Sequence, residues 1–108
     1  MNVLFVCSQN RLRSPTAEQV FADWPGIETD SGGLDDSATT PVSPEQIAWA
    51  DVIVVMETRH RDKLRKRFRA HLGAKRVVSL DIPDAYDFMS PDLVLLLKER
   101  AGRFIRGA

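Results

Sequence analysis

Val3-Leu4-Phe5-Val6-Cys7-Ser8-Gln9-Asn10-Arg11-Leu12-Arg13-Ser14-Pro15 runs from an apolar stretch straight into a helix start. The first four residues are continuous rather than alternating in polarity, which suits a strand buried on both faces of a parallel sheet. Ser14-Pro15 predicts a capping hydroxyl followed by proline at the first helical position, with Ala17, Val20 and Phe21 at helical spacing behind it. The residues between strand and helix form a tight connection at the carboxyl end of a strand. That is where open α/β sheets bind their ligands.

The same alternation repeats along the chain. Val52-Ile53-Val54-Val55-Met56 and the shorter Val77-Val78 read as further buried strands, and Ile27–Ser31 as a short one. Ser43-Pro44-Glu45-Gln46 is a capping box leading into Ile47 and Trp49. Thr58 to Leu72 predicts a helix with Leu64, Phe68 and Leu72 four residues apart, ended by Gly73. Ser90-Pro91-Asp92 opens a last helix carrying Leu93, Leu96, Leu97 and Phe104. The order β-α-β-α-β-α-β-α predicts one α/β domain over residues 1–108, a four-stranded parallel sheet with helices on both faces and a ligand-binding loop after the first strand. Its ligand residues should follow Val6, Ser31, Met56 and Leu80.

Composition excludes several classes. One cysteine in 108 residues cannot make an internal disulfide framework. Apolar runs such as Val52–Met56 and Leu93–Leu97 reach five residues, far short of a membrane span. The N-terminus lacks a basic segment followed by a long apolar one, so no membrane association and a cytoplasmic location are expected. The formal net charge is zero, but its distribution is uneven. Glu28 to Glu57 holds seven acids and no base, whereas Arg59 to Arg76 holds nine bases and one acid, Asp62. The basic block reads as a solvated helix face or as a docking surface for an anionic partner. Nucleic acid is disfavoured by the zero net charge and the absence of interleaved aromatics. His60 and His71 read as surface histidines, and no metal site or cofactor is expected. Trp24 and Trp49 read as packing residues.

The first loop carries the chemistry. Cys7 ends the strand and Arg13 stands six residues on. A loop of this length can turn its backbone N–H groups inward, and the helix start adds more of them at the positive end of its dipole. Such a nest holds a phosphate-sized anion. Ser8, Gln9, Asn10, Arg11, Leu12 and Ser14 would form it, and Arg13 would grip two oxygens with its planar fork. The same field favours the thiolate of Cys7, the nucleophilic form, and Ser14 could donate its hydroxyl to that sulfur. With no glycine between Cys7 and Arg13, Asn10 is the residue best suited to a left-handed backbone.

These residues resemble the N-terminal signature of the low-molecular-weight protein tyrosine phosphatases: Val3 to Cys7, Asn10, Arg13-Ser14-Pro15 and Ala17-Glu18. Ser31-Gly32-Gly33 is similar to that family's Ser-Ala-Gly, and Ala50–Met56 to its third strand. The resemblance implies hydrolysis of a phosphomonoester, phosphotyrosine or an aryl phosphate, through a phosphocysteine at Cys7. Arg13 and the loop amides would stabilise the equatorial oxygens. It also implies a general acid from the fourth loop, Asp81-Ile82-Pro83-Asp84-Ala85-Tyr86. Asp84 fits best, with Ala85 where the family has proline and Tyr86 as the aromatic wall of the pocket; Asp81 is the second choice.

The sequence departs from the family in several places. It lacks length after Gly33 and after Leu80, where the family carries substrate-selecting loops, and it has no aromatic residue between Glu28 and Ala48. Gln9 replaces a glycine. Arg11 replaces an apolar residue, and would either line the pocket mouth and favour a more anionic substrate or point to solvent. Leu12 stands where many relatives carry a second cysteine, so neither a protective disulfide nor the disulfide relay of arsenate reductases is available. The alternative to an enzyme acting on a phosphorylated protein or small aryl phosphate is a non-catalytic phosphate-binding module, joined to an anionic partner through Arg59–Arg76.

Overall fold

Strand β1, Asn2–Cys7, is central because each of Val3 to Cys7 is apolar and both faces of the sheet are covered. The structure, a computed structural model, describes residues 1–106, the side chain of Arg106 excepted. The expected domain span, 1–108, thus ends outside the described residues. After β1 come α1 (Arg13–Phe21), β2 (Glu28–Gly33), α2 (Pro44–Trp49), β3 (Val52–Val55), α3 (Thr58–Leu72), β4 (Arg76–Ser79) and α4 (Pro91–Arg106). The sheet order is β2-β1-β3-β4 and all pairings are parallel, with Phe5 opposite Ser31 on one side and Val54 on the other.

The alternation of side chains along β1 divides the core. Val3, Phe5 and Cys7 face Ala17 and Phe21 of α1 and Leu93, Leu97 and Ala101 of α4. Leu4 and Val6 face Ile47 of α2 and Leu64, Phe68 and Leu72 of α3. Helices therefore cover both faces, as the sequence predicted. Trp24 joins the first layer, edge-on to Phe21, and Trp49 packs on the second. No helix among the described residues is long and apolar enough to cross a membrane.

Local signals account for most boundaries. Ser43 Oγ accepts from the Gln46 amide at 3.2 Å and Gln46 Oε1 accepts from the Ser43 amide at 3.2 Å, a complete capping box. Ser90 Oγ accepts from the Leu93 amide at 3.3 Å and so caps α4. Gly73 ends α3 with a φ of 54° that a side chain would resist. The expectation for α1 fails by two residues. The helix starts at Arg13 with Leu12 as its N-cap, and no side chain caps it. Ser14 is not a cap because its hydroxyl is turned back into the preceding loop, to Cys7 and Asn10.

Candidate active site

The parallel strands leave β1, β2 and β3 ending side by side, and the loops after them build one site. Between Cys7 and Arg13 the chain turns through Asn10 at φ 54°, the left-handed residue anticipated for it. Asn10 is held there by its own side chain, whose Nδ2 donates to Ser14 Oγ and to Ser31 Oγ, each at 2.9 Å. Ser31 Oγ in turn donates to Glu18 Oε1 at 2.5 Å. Gly33 lets the loop lie against the end of β2. A Cβ there would sit 2.5 Å from Ala38 Cβ and 2.6 Å from the Ser8 carbonyl oxygen, so only glycine fits.

The Cys7 sulfur receives the loop's donors. Asn10 N–H points at Sγ from 3.3 Å, and Ser14 Oγ lies 2.9 Å away. Ser14 Oγ already accepts from Asn10, which leaves its proton free for the sulfur. Both groups can thus donate a hydrogen bond to the sulfur.

Arg13 is buried to 2% exposure and is held by charge and by backbone. Its Nη1 donates to Glu57 Oε1 at 2.6 Å and to the Ile82 carbonyl at 2.7 Å, using both protons of that nitrogen. Nε and Nη2 remain for a bound anion, with Asp84 Oδ1 at 3.8 Å from Nε. Glu57 also accepts from Arg59, and the two arginines hold its carboxyl down to about 2 against the opposing effect of burial, the Arg59 hydrogen bond contributing most. The guanidinium at the site is therefore locked to a permanent carboxylate on its far side.

His60 corrects the sequence reading. It is buried, not at the surface, and both ring nitrogens are engaged. Nδ1 accepts from the Glu57 amide at 3.0 Å and Nε2 lies 2.9 Å from Ser8 Oγ. Burial first, and then the charges of Arg13 and Arg59, lower its pKa to about 4, so the ring is neutral at neutral pH. His71 is exposed, as expected.

Cys7, Arg13 and Asp84 line one cleft of about 250 Å³, together with Ser8, Gln9, Arg11 and Leu12. Asn10 and Ser14 lie behind it, buried, as supports of the loop. Gln9 is tied to Asp35, and Arg11 is exposed with one long contact to the Ser37 carbonyl at 3.5 Å. Of the two candidate acids in the fourth loop, Asp81 and Asp84, only Asp84 lines the cleft. Asp81, at φ 56°, turns its carboxylate to Ser79 Oγ and Thr58 Oγ1. Tyr86 is not where the sequence put it. It is half-buried against the layer between β1, α1 and α4, and it is not among the residues that line the cleft. A larger hollow, lined by Met1, Trp24, Ile27 and Ile105, lies at the opposite strand ends and holds no nucleophile.

Sequence reasoning missed Glu57, His60 and the anchoring role of Ser31. Each had a signal. Glu57 follows Met56, one of the positions the fold rule marks for inspection. The four-residue spacing of Leu72, Phe68 and Leu64 extends back one turn to His60, which places it on the buried face of α3. The basic block divides in two. Arg59, Lys63 and Arg67 pair with Glu57, Asp35 and Asp36, while Arg61, Arg65, Lys66, Arg69, Lys75 and Arg76 make no ion pair among the described residues.

No protein-family model matches the chain, and no curated protein sequence does. Solved structures do. A low-molecular-weight phosphotyrosine phosphatase from Vibrio cholerae superposes with a TM-score of 0.80 at 21% identity, over 99% of this chain and 95% of its own. Wzb of Vibrio vulnificus, in complex with benzylphosphonate, gives 0.79 at 21% identity over 99% and 98%. The YwlE arginine phosphatase of Geobacillus stearothermophilus gives 0.73 at 21% identity over 98% and 93%. The chain therefore has the fold of the low-molecular-weight protein tyrosine phosphatases.

Proposed function

We propose that this protein is a cysteine-dependent phosphatase that hydrolyses a phosphomonoester, phosphotyrosine or another aryl phosphate, through a phosphocysteine. The observation that carries the proposal is the position of the Cys7 sulfur, in contact with Asn10 N–H and Ser14 Oγ and in the cleft that Arg13 and Asp84 line. The ester phosphate enters the cradle as a dianion. The Cys7 thiolate attacks phosphorus and the bond to the ester oxygen breaks. Asp84, entering as the acid, gives its proton to that oxygen, and the alcohol or phenol leaves. Water then attacks the S–P bond, its proton passes to the Asp84 carboxylate, and phosphate is released with the thiolate restored. Charge on the equatorial oxygens is met by loop N–H groups and by Arg13 Nε and Nη2. The cycle needs no cofactor.

Asp84 favours turnover over mere binding, because a phosphate receptor gains nothing from a carboxylate beside its anion. The first test is hydrolysis of para-nitrophenyl phosphate. Wild-type protein turns it over and Cys7→Ser loses on the order of 10³-fold or more in kcat. A protein that binds phosphate with no turnover would instead establish the non-catalytic alternative. For a protein substrate, the cations of α3 without an ion pair, Arg61 and Arg65 before the break in the helix at Phe68 and Arg69 after it, would meet an anionic segment of the partner. The fold, the cytoplasmic setting expected from the sequence and the phosphosubstrate support one another as a reading.

A further inference from the structure

The cleft holds a hydroxyl whose orientation is set from behind. Ser8 lines the cleft beside Cys7, and its Oγ lies 2.9 Å from His60 Nε2. The direction of that bond follows from the other ring nitrogen. His60 Nδ1 faces the Glu57 amide at 3.0 Å, and an amide N–H can only donate. Nδ1 must therefore be the acceptor, and the single proton of the neutral ring sits on Nε2. A doubly protonated ring would set two N–H groups against each other at Nδ1. So Ser8 Oγ accepts from His60. Its own proton is left over, on a residue that lines the cleft, and an oxygen that accepts a hydrogen bond becomes a stronger donor.

The fold leaves His60 little freedom to do otherwise. The ring is buried at the first turn of α3, one turn before Leu64, and its remaining charged surroundings are Arg13, Arg59, Glu57 and Asp35. Glu57 links the same turn to Arg13. One helix start thus fixes the guanidinium through a carboxylate and the hydroxyl through an imidazole.

We propose that Ser8 donates its hydroxyl to an oxygen of the bound phosphoryl group, and that His60 is the positioning residue that aims it. The inference rests on the phosphatase reading above, and adds a side-chain donor to the loop amides and Arg13. No proton is transferred: Ser8 hydrogen-bonds an oxygen that is already anionic.

The test measures the inhibition constant of inorganic phosphate and kcat/KM for para-nitrophenyl phosphate in four variants of the full chain. Ser8→Ala weakens phosphate binding and lowers kcat/KM by roughly tenfold, the usual loss for one hydrogen bond to a charged group. His60→Ala has an effect of the same size, and Ser8→Ala/His60→Ala is no worse than Ser8→Ala alone, because the second change removes an aim that no longer has an object. His60→Gln, which keeps an N–H at similar reach, recovers most of the loss. A structural role for His60 alone would lower thermal stability but leave phosphate affinity unchanged and Ser8→Ala silent. Wild-type activity with Ser8→Ala within about twofold of it overturns this inference, whether or not the His60 variants fold. Independent, multiplying losses from the two sites overturn the pairing. A wild-type protein with neither turnover nor phosphate binding overturns the phosphatase reading itself.

Discussion

The first and fourth strand ends of this sheet both supply the cleft, and they are built in opposite ways. The first loop is closed. Asn10, Arg13 and Ser14 are 5%, 2% and 0% exposed, and no buried side-chain nitrogen or oxygen among the described residues lacks a hydrogen-bond partner. The fourth loop is open. Ile82 is its one fully buried residue, tied by its amide to Met56 and by its carbonyl to Arg13, and Arg100 of α4 holds the carbonyls of Leu80 and Asp81. Beyond that anchor the Asp84 side chain is 59% exposed. The contrast suits the two roles proposed above. An oxyanion cradle works only if its dipoles are fixed before charge develops, and fixing requires burial and full satisfaction. In the proposed cycle Asp84 gives a proton to the leaving oxygen and regains one from the attacking water, which its exposed carboxyl can meet.

The contrast can be broken from the open side first. Asp84→Asn should lower kcat for an ester with a poor leaving group by about 10²–10⁴ without a measurable change in thermal midpoint, since the residue is exposed. Asp81→Asn should leave kcat near wild type, because that carboxylate serves Ser79 and Thr58. The reverse pattern would transfer the acid role to Asp81. From the closed side, Arg13→Lys should lower kcat/KM by about 10²–10³ and also reduce stability, because an ammonium cannot serve Glu57, Ile82 and a phosphate at once. A thermal scan run beside the kinetics separates the two regions: activity falls alone for Asp84 and together with the midpoint for Arg13.

A pH titration sharpens the same comparison. The His60 pKa is near 4 in the folded protein and ordinarily near 6.5, so the unfolded chain takes up a proton first as the medium is acidified. Stability is therefore complete above about 6.5 and declines as pH falls toward 4, by on the order of 3 kcal/mol if His60 acts alone. Glu57, held near 2, adds a further loss below its ordinary 4.5, where the unfolded chain protonates before the folded one. His60→Gln should flatten the upper part of this decline; an unchanged slope between pH 6.5 and 4 would show that His60 is not the group responsible. The smallest effect is expected outside the cleft. Reversing Arg65 and Arg69 to glutamate should leave para-nitrophenyl phosphate turnover unchanged and weaken an acidic phosphopeptide substrate severalfold at low salt, a difference that vanishes at high ionic strength.

Much of the molecule could be read from the sequence because its signals are local. Val3–Val6 and Val52–Met56 are apolar without alternation, so both faces had to be covered, and a parallel sheet followed. Cys7, Asn10, Arg13 and Ser14 lie close together in the chain, from the end of β1 to the start of α1, so their spacing was enough to expect a cradle. What escaped is what the tertiary fold supplies. Glu57 is far from Arg13 in sequence and meets it only because β3 pairs beside β1. His60 looked like surface because it sits in a run of cations, yet Leu64, Phe68 and Leu72 already gave the phase of the buried face. Ser14 carried two readings, a cap and a donor to sulfur, and Leu12 takes the cap position in the structure. Tyr86 was placed by resemblance alone, and in the structure it packs on the layer of β1, α1 and α4 instead of lining the cleft.

The most direct measurement is mass spectrometry of the protein quenched in acid during turnover of para-nitrophenyl phosphate, with Asp84→Asn used to slow the second step. One phosphoryl group should appear on the peptide that contains Cys7, in proportion to active protein, and disappear in Cys7→Ser. Turnover at the wild-type rate by Cys7→Ser, or a phosphoryl group found on any other residue, would contradict the account.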